Sequence, residues 1–377
     1  MRAIWMRELD KTGAGGPIGA RLTAWCRLRE LTRDDLASRT GLGLDYLSGL
    51  ETGQEWVDRR GLLTVLASAL RLDVADLTGQ PYPPHGQEHA AVRAVAFHLR
   101  RSLVRRQPPP APRVLLEELA ERTWAAARAD TAGDEHYLAL ALPELIEAAD
   151  HALAASTGPA RGEAVRLRVD AHVLAAGLLR RLGYKDLAWM LLHRARPGIR
   201  EPLPVLVEEV RLLIDLGLPE HALARAERAE DAGADWELPA LAAVAQAMAG
   251  RRPGAERLLT KAAERADGAR ESALVMAARA AVAVEVGDAA EAADHARAAD
   301  HAALDGAHRS GLLVVAAAAE ARQNRADRAA ARLVEAEAVA PLRFRLDPVA
   351  RDLTALIDRT TVHAAAVQDL AERTGLR

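Results

Sequence analysis

Residues 33–52 read RDDLASRTGLGLDYLSGLET, and their small, turn-forming and apolar residues follow the pattern of two helices joined by a tight turn. Thr32 and Asp35 have the spacing of a capping box, in which each side chain bonds the other residue's backbone N–H. Gly41 suits the turn because glycine adopts a left-handed backbone without steric cost. Ala37 is small enough to let the helices cross closely. The inner side of this pair consists of leucines: Leu36, Leu42, Leu47 and Leu50.

Apolar residues on both sides of the pair continue at helical spacing. The upstream set is Ile18, Leu22, Trp25 and Leu28, and the downstream set is Leu62, Leu63, Leu66 and Leu70, followed by Val74 and Leu77. Together with the pair, these segments predict an N-terminal domain of five short helices over about residues 18–79, which the proline-rich QPYPP at 80–84 closes.

This five-helix pattern resembles the Xre/Cro class of phage-repressor-like DNA-binding domains. The resemblance implies that the second helix of the pair enters the major groove of double-stranded DNA. The residues on its reading face would be Leu44, Asp45, Ser48 and Gly49. The residues that touch the DNA backbone would be Arg33, Thr52, Gln54 and Arg59. Aspartate can accept a hydrogen bond from cytosine, and leucine can contact a thymine methyl group.

The charge of this region leaves a second interpretation open. Residues 1–84 carry 11 basic and 11 acidic side chains, so their attraction to phosphate is modest. Members of the class often place Arg, Gln or Lys on the reading face, and none of these residue types stands there in this chain. The alternative is a degenerate helix-turn-helix that serves for packing in a protein-interaction adaptor and never touches DNA.

The rest of the chain reads as helices punctuated at a nearly regular interval. Small turn residues stand at intervals of 34, 33, 37 and 37 residues, each followed five positions later by an alanine. The pairs are Gly183/Ala188, Gly217/Ala222, Gly250/Ala255, Gly287/Ala292 and Asn324/Ala329. Glycine and asparagine tolerate the left-handed conformation that ends a helix, and alanine permits a tight helix crossing. Over roughly 160–342, this pattern resembles the tetratricopeptide repeat, a helix–turn–helix unit of 34 residues. An irregular helical bundle is the alternative.

A tetratricopeptide-like solenoid would present a concave groove lined by the first helix of each unit. The repeat register predicts that the groove residues are Arg180, Arg211, Val244, Val284 and Arg322. The complete architecture resembles bacterial regulators that join a repressor-like domain to such repeats, several of which sense peptides. Peptide sensing there relies on asparagines, and this chain has one, Asn324. A small acid, a hydrophobic metabolite or a partner helix would also suit the groove.

Composition narrows the remaining possibilities. Half of the residues are hydrophobic but only 3% are aromatic, which favours an alanine- and leucine-rich helical core. The single cysteine, Cys26, excludes an internal disulfide and fits a reducing cytoplasm. No apolar run reaches membrane-spanning length, and the N-terminus lacks the apolar stretch of a signal peptide. The spacing of His, Cys, Ser and Asp residues nominates no catalytic set and no metal site, so we expect neither enzymatic activity nor a cofactor.

These observations predict an all-α protein in three parts. Residues 1–84 would form the helix-turn-helix domain, 85–113 a basic helix and proline-rich linker, and 114–377 the tetratricopeptide-like solenoid. We expect a cytoplasmic transcriptional regulator that binds a palindromic operator as a homodimer. Its repeats would provide the dimer scaffold and sense a peptide, a small molecule or a protein partner.

Overall fold

A computed structural model describes residues 16–104, 115–196, 198, 201–230, 235–360 and 365–377. Within these ranges the chain is helical and contains no strand, in agreement with the predicted all-α class. None of the helices in these ranges combines the length and the apolar character that a membrane crossing requires.

Five short helices form an N-terminal domain. They are α1 (Pro17–Leu28), α2 (Arg33–Thr40), α3 (Leu44–Thr52), α4 (Arg60–Leu70) and α5 (Val74–Thr78). The predicted capping box is present, because Thr32 Oγ1 accepts from the Asp35 N–H and the Asp35 carboxylate accepts from the Thr32 N–H. Gly41 ends α2 with a φ of 71°, as the turn requires. Leu36, Leu47 and Leu50 are at most 1% exposed, so the predicted helix pair has the expected core.

Sixteen further helices follow. They are α6 (Gly86–Val104), α7 (Leu116–Ala132), α8 (Glu135–Ala155), α9 (Pro159–Arg181), α10 (Lys185–Ala195), α11 (Leu203–Asp215), α12 (Pro219–Glu230), α13 (Glu237–Met248), α14 (Arg252–Arg265), α15 (Gly268–Glu285), α16 (Ala289–Ala298), α17 (Gly306–Arg322), α18 (Ala326–Val339), α19 (Pro341–Leu346), α20 (Pro348–Thr360) and α21 (Ala365–Arg373).

Helices α9 to α18 form five successive hairpins with the predicted register. The five turn residues all have positive φ: Gly183 (89°), Gly217 (72°), Gly250 (73°), Gly287 (83°) and Asn324 (58°). The alanines five positions later are all fully buried, namely Ala188, Ala222, Ala255, Ala292 and Ala329. The first helix of each hairpin packs against the first helix of the next, which places α9, α11, α13, α15 and α17 side by side.

The hairpin array returns to its own beginning. Helix α17 contacts α7, and α19 contacts α8. The approach is close, because a Cβ added at Gly306 would lie 2.4 Å from the backbone oxygen of Ala132. Arg343 Nη1 also donates to the backbone oxygen of Asp130 at 2.8 Å. The helices from α7 to α19 therefore close into a ring around a central space.

Helix α6 differs from its predicted role in a linker. Its buried residues Val92, Val95, Ala96 and Leu99 belong to the same apolar core as residues of α7 to α10, and α6 packs on α8 and α10. The helix is therefore part of the array. The proline-rich segment PPPAP at 108–112, the other half of the predicted linker, lies outside the described residues.

We expect Gly19→Ala to destabilise the protein by about 1–3 kcal/mol, which is typical of overpacking. A Cβ on Gly19 in α1 would lie 1.9 Å from the backbone oxygen of Leu50 in α3, and backbone cannot yield easily. The matched control is Gly162→Ala on α9, where a Cβ meets nothing within 4 Å and helix propensity favours alanine. Urea unfolding measures both. Equal stability of the two variants would contradict the tight α1–α3 crossing.

Candidate functional site

The predicted reading helix α3 presents its N-terminal half to solvent. Leu44 is 45% exposed, Asp45 is exposed and Ser48 is partly buried. Gly49 corrects the sequence-based expectation, because it is buried and not on the exposed face. Its backbone oxygen accepts from the Glu55 N–H at 2.9 Å, and a Cβ there would lie 2.6 Å from Glu55 Cγ. The position therefore requires glycine for packing against the following loop.

The residues predicted to touch the DNA backbone lie in different environments. Arg33 is exposed, but its Nη2 forms an ion pair with Glu51 Oε2 at 2.5 Å and so ties α2 to α3. The Thr52 hydroxyl donates to the backbone oxygen of Ser48 at 2.9 Å, which leaves the residue on the surface at the end of α3. Gln54 is exposed. The outer surface of α2 and α3 is therefore open to solvent.

Arg59 faces the hairpin array, contrary to its predicted place beside DNA. Its Nε donates to Asp58 Oδ1 at 3.2 Å, and its guanidinium lies 3.3 Å from the position of a Cβ on Gly287. The next residue, Arg60, pairs with Asp215 of α11 at 2.6 Å. Both arginines at the start of α4 are therefore engaged between the N-terminal domain and the array.

Two carboxylates of the array cap helices of the N-terminal domain. Glu285, at the end of α15, accepts the Arg60 N–H at 2.8 Å and the Gly61 N–H at 3.0 Å. Asp352, in α20, accepts the Ile18 N–H at 3.1 Å and the Val57 N–H at 2.9 Å. The first N–H groups of a helix have no partner within the helix, and the N-terminus carries partial positive charge. The array thus supplies the caps that α1 and α4 lack.

Arg322 is the third residue of the array that holds the N-terminal domain, and this differs from its predicted role as a ligand-binding residue. Its guanidinium donates to Asp58 Oδ2 at 2.5 Å, to Glu55 Oε2 at 2.6 Å and to the backbone oxygen of Trp56 at 3.1 Å. It also lies 5.1 Å from the ring centre of Trp56 and 5.9 Å from that of Tyr46. These contacts hold the N-terminal domain, and Arg322 lines a separate cleft of about 380 Å³ beside Asp58, Arg59 and Val284.

Trp56 anchors the domain by burial. The indole is 2% exposed and belongs to an apolar cluster of the array that includes Leu313, Ala317, Phe344 and Leu353. A buried tryptophan is among the largest single contributors to an apolar interface. The N-terminal domain therefore packs directly against the array through a buried side chain.

The central space is a partly open cavity of about 600 Å³ with walls from both parts of the chain. Four predicted groove residues, Arg180, Arg211, Val244 and Val284, line it, whereas Arg322 does not. Asp58 and Arg60 of the N-terminal domain form part of the wall. The apolar part of the lining includes Trp236, Leu241, Leu274, Leu312 and Val315.

The polar wall of the cavity is an ordered charge network. Arg180 pairs with Glu208 and Asp215, each at 2.6 Å, and Arg211 pairs with Glu208 and Glu237. Burial alone would raise the pKa of Asp215, but the cations Arg180 and Arg60 lower it to about 2. Asp215 is therefore ionised at neutral pH and remains paired with both cations.

Three residues that position the N-terminal domain were not predicted from the sequence: Trp56, Glu285 and Asp352. Of these three, only Trp56 could have been suspected from the sequence, because it is a large apolar residue just outside the expected core of the helix pair. Among the described residues, no group of three or more His, Cys, Asp or Glu side chains could hold a metal ion.

The cap from Asp352 predicts a pH dependence of stability. Burial raises the pKa of Asp352 from 3.8 to about 6, against the N–H bonds from Val57 and Ile18 and the charge of Arg359, which lower it. The folded state therefore binds this proton more tightly than the unfolded chain does. The resulting stabilisation is complete below the unfolded pKa and is lost as the pH rises through about 6.

We expect wild type to lose about 2 kcal/mol more stability than Asp352→Asn between about pH 4.5 and pH 7. Urea unfolding of both proteins at several pH values gives the difference, in which the titration of all other groups cancels. A difference that does not change with pH, or one of opposite sign, would contradict the raised pKa of Asp352.

A comparison with protein-family models finds none that matches the chain, and a comparison with curated proteins finds no match.

Proposed function

We propose that this protein is a sequence-specific, DNA-binding transcriptional regulator whose helical array senses a ligand. One observation carries the proposal. The same small domain turns its α2–α3 face to solvent while another side of it forms part of the wall of the central cavity. A ligand in that cavity touches the domain directly, so binding and DNA recognition are coupled through one contact surface.

The local geometry supports the two family resemblances on which this proposal draws. The capped helix pair with a glycine turn and an exposed second helix supports a repressor-like domain. The five hairpins with positive-φ turns and buried alanines support a tetratricopeptide-like solenoid. A regulator of this kind would bind a palindromic operator as a homodimer, since paired half-sites require two reading helices.

Docking gives the regulatory mechanism its physical basis. In the docked arrangement, Arg59 and Arg60 are held by Asp58, Asp215 and the turn at Gly287, and so are withheld from phosphate. Release of the domain would free Arg60 from Asp215, whereas Arg59 pairs with Asp58 of the same domain, and each cation that neutralises a phosphate strengthens binding and its salt dependence. A ligand controls this equilibrium only if it binds the docked and released states unequally. Contact with Asp58 and Arg60 provides that difference.

The second candidate function, a protein-interaction adaptor, is favoured by the charge of the exposed face. Asp34, Asp35 and Asp45 are all exposed there, and Arg33 is paired with Glu51. Such a surface repels phosphate more than it attracts it. In an adaptor, the same face would bind a basic protein partner, and the experiments below separate the two functions.

The test of DNA reading is selection of duplexes from a random pool by the full chain at physiological salt, followed by titration of variants. We expect Asp45→Ala to change the preference at one base position by about 1–3 kcal/mol, because a lost base contact relaxes specificity locally. The matched control is Asp76→Ala, which removes the same charge from an exposed position on α5. Failure to enrich any sequence, or equal effects of both variants on all duplexes, would favour the adaptor.

The test of docking is Arg322→Leu. It leaves Asp58 buried without its main partner, a change that typically costs about 3–5 kcal/mol. We expect faster amide exchange in α1 and α4, and a dependence of DNA affinity on salt steeper by about one counterion, since Arg60 loses its partner Asp215. Arg325→Leu is the control, because exposed Arg325 pairs with Glu320 at 3.2 Å within the array. Unchanged exchange and unchanged salt dependence in Arg322→Leu would contradict regulation by docking.

A further inference from the structure

A second, smaller chamber adjoins the central cavity, between the N-terminal domain and the array. It has a volume of about 230 Å³ and shares Arg60, Arg180, Asp215 and Arg343 with the lining of the larger space. Its lining contains more cations than carboxylates. The cations are Arg60, Arg180, Arg181, Lys185 and Arg343, and the carboxylates are Asp215 and Asp347.

The carboxylates that balance the other cations lie behind them. Arg181 pairs with Glu135 at 2.9 Å, and the Glu135 side chain has no exposed surface. Arg180 pairs with Glu208, whose side chain is 4% exposed. The positive ends of these pairs therefore face the chamber while the negative ends are covered. This arrangement gives the chamber a positive potential, although the network as a whole is nearly neutral.

Lys185 is the cation whose charge is least compensated. It is 7% exposed, and its ammonium donates to the backbone oxygen of Asp215. No described residue offers it a carboxylate within ion-pair distance. An ammonium has three donors, and a buried charge without an ionic partner is costly. Burial lowers the pKa of Lys185, and burial together with neighbouring Arg181 lowers that of Arg343. The charge of Asp215 opposes the shift of Lys185. Arg343 already pairs with Asp130 and Glu135, so Lys185 is the cation that lacks an ion-pair partner among the described residues.

We propose that the two chambers together bind a carboxylic acid with an apolar body, its carboxylate at Lys185 and its body against Trp236, Leu274 and Leu312. This inference rests on the proposed function, because the acid would be the ligand that the array senses. One uncompensated ammonium calls for one negative charge, which favours a monocarboxylate over a doubly charged phosphate. The larger chamber, at about 600 Å³, lies within the range of small-molecule sites.

The test uses the full chain, without DNA, and two probes of equal length, decanoate and decanol, titrated by calorimetry at neutral pH. We expect wild type to bind decanoate about tenfold more tightly than decanol, and Lys185→Met to abolish this preference while it keeps its affinity for decanol. Retained decanol binding also shows that the variant has folded. Lys261→Met, in a separate cleft beside α14, should keep the preference for decanoate.

Ala277→Trp, which fills the apolar part of the larger chamber, should abolish binding of both probes. Equal affinities of wild type for the two probes, a preference that survives Lys185→Met, or no binding of decanoate at millimolar concentration would each overturn the proposal. Its failure is distinguishable from that of the proposed function. If decanoate binds but leaves DNA affinity unchanged, regulation by this ligand is refuted and the acid site is retained. If the protein selects DNA sequences but does not bind decanoate, the acid site is refuted and the DNA-binding function is retained.

Discussion

The structure depends on the satisfaction of helix N-termini by side chains from a distant part of the chain. A buried helix start needs acceptors for its first N–H groups, and an unsatisfied group there costs as much as a lost hydrogen bond. Helices α1 and α4 have no side-chain cap of their own. Asp352 and Glu285 provide the acceptors, and Arg322 and Trp56 complete the attachment. The N-terminal domain is thereby fixed in one orientation, with α3 directed outward.

Closure of the array determines where a ligand can act. Because α17 and α19 return to α7 and α8, the concave sides of the hairpins face a central space within a closed ring of helices. The N-terminal domain forms part of that enclosure through Asp58 and Arg60. Under the proposed function, a ligand in this space would meet the docking surface itself and would need no change of curvature in the array to affect the domain. The proposed coupling between the two parts would therefore be short-ranged.

Local patterns in the sequence predicted local structure well. The capping box at Thr32, the turn at Gly41 and all five hairpin turns depend on residues a few positions apart, so their spacing contains the information. The predicted cavity residues Arg180, Arg211, Val244 and Val284 share a wall for the same reason, since the repeat register places them on equivalent helices.

The predictions that differ from the structure concern contacts between distant residues. Glu285 is 225 residues from Arg60, and Asp352 is 334 residues from Ile18, so no periodicity links them. Arg59 and Arg322 were placed on the correct elements, but their partners depend on how the domain docks. Gly49 was predicted from its position on α3, and only the path of the loop that carries Glu55 shows why it is buried. Helix α6 was separated from the array because its neighbouring prolines resemble a linker.

The distance along the chain between Ile18 and Asp352 also fixes an order of events during synthesis. The N-terminal domain leaves the ribosome first, yet its cap on α1 lies 334 residues later. At bacterial and eukaryotic rates of translation, that interval is on the order of tens of seconds. During that interval the nascent domain has its own core, but Asp352 and the closed array have not yet been synthesised. Every newly made molecule therefore passes through an undocked state before it first reaches the docked one.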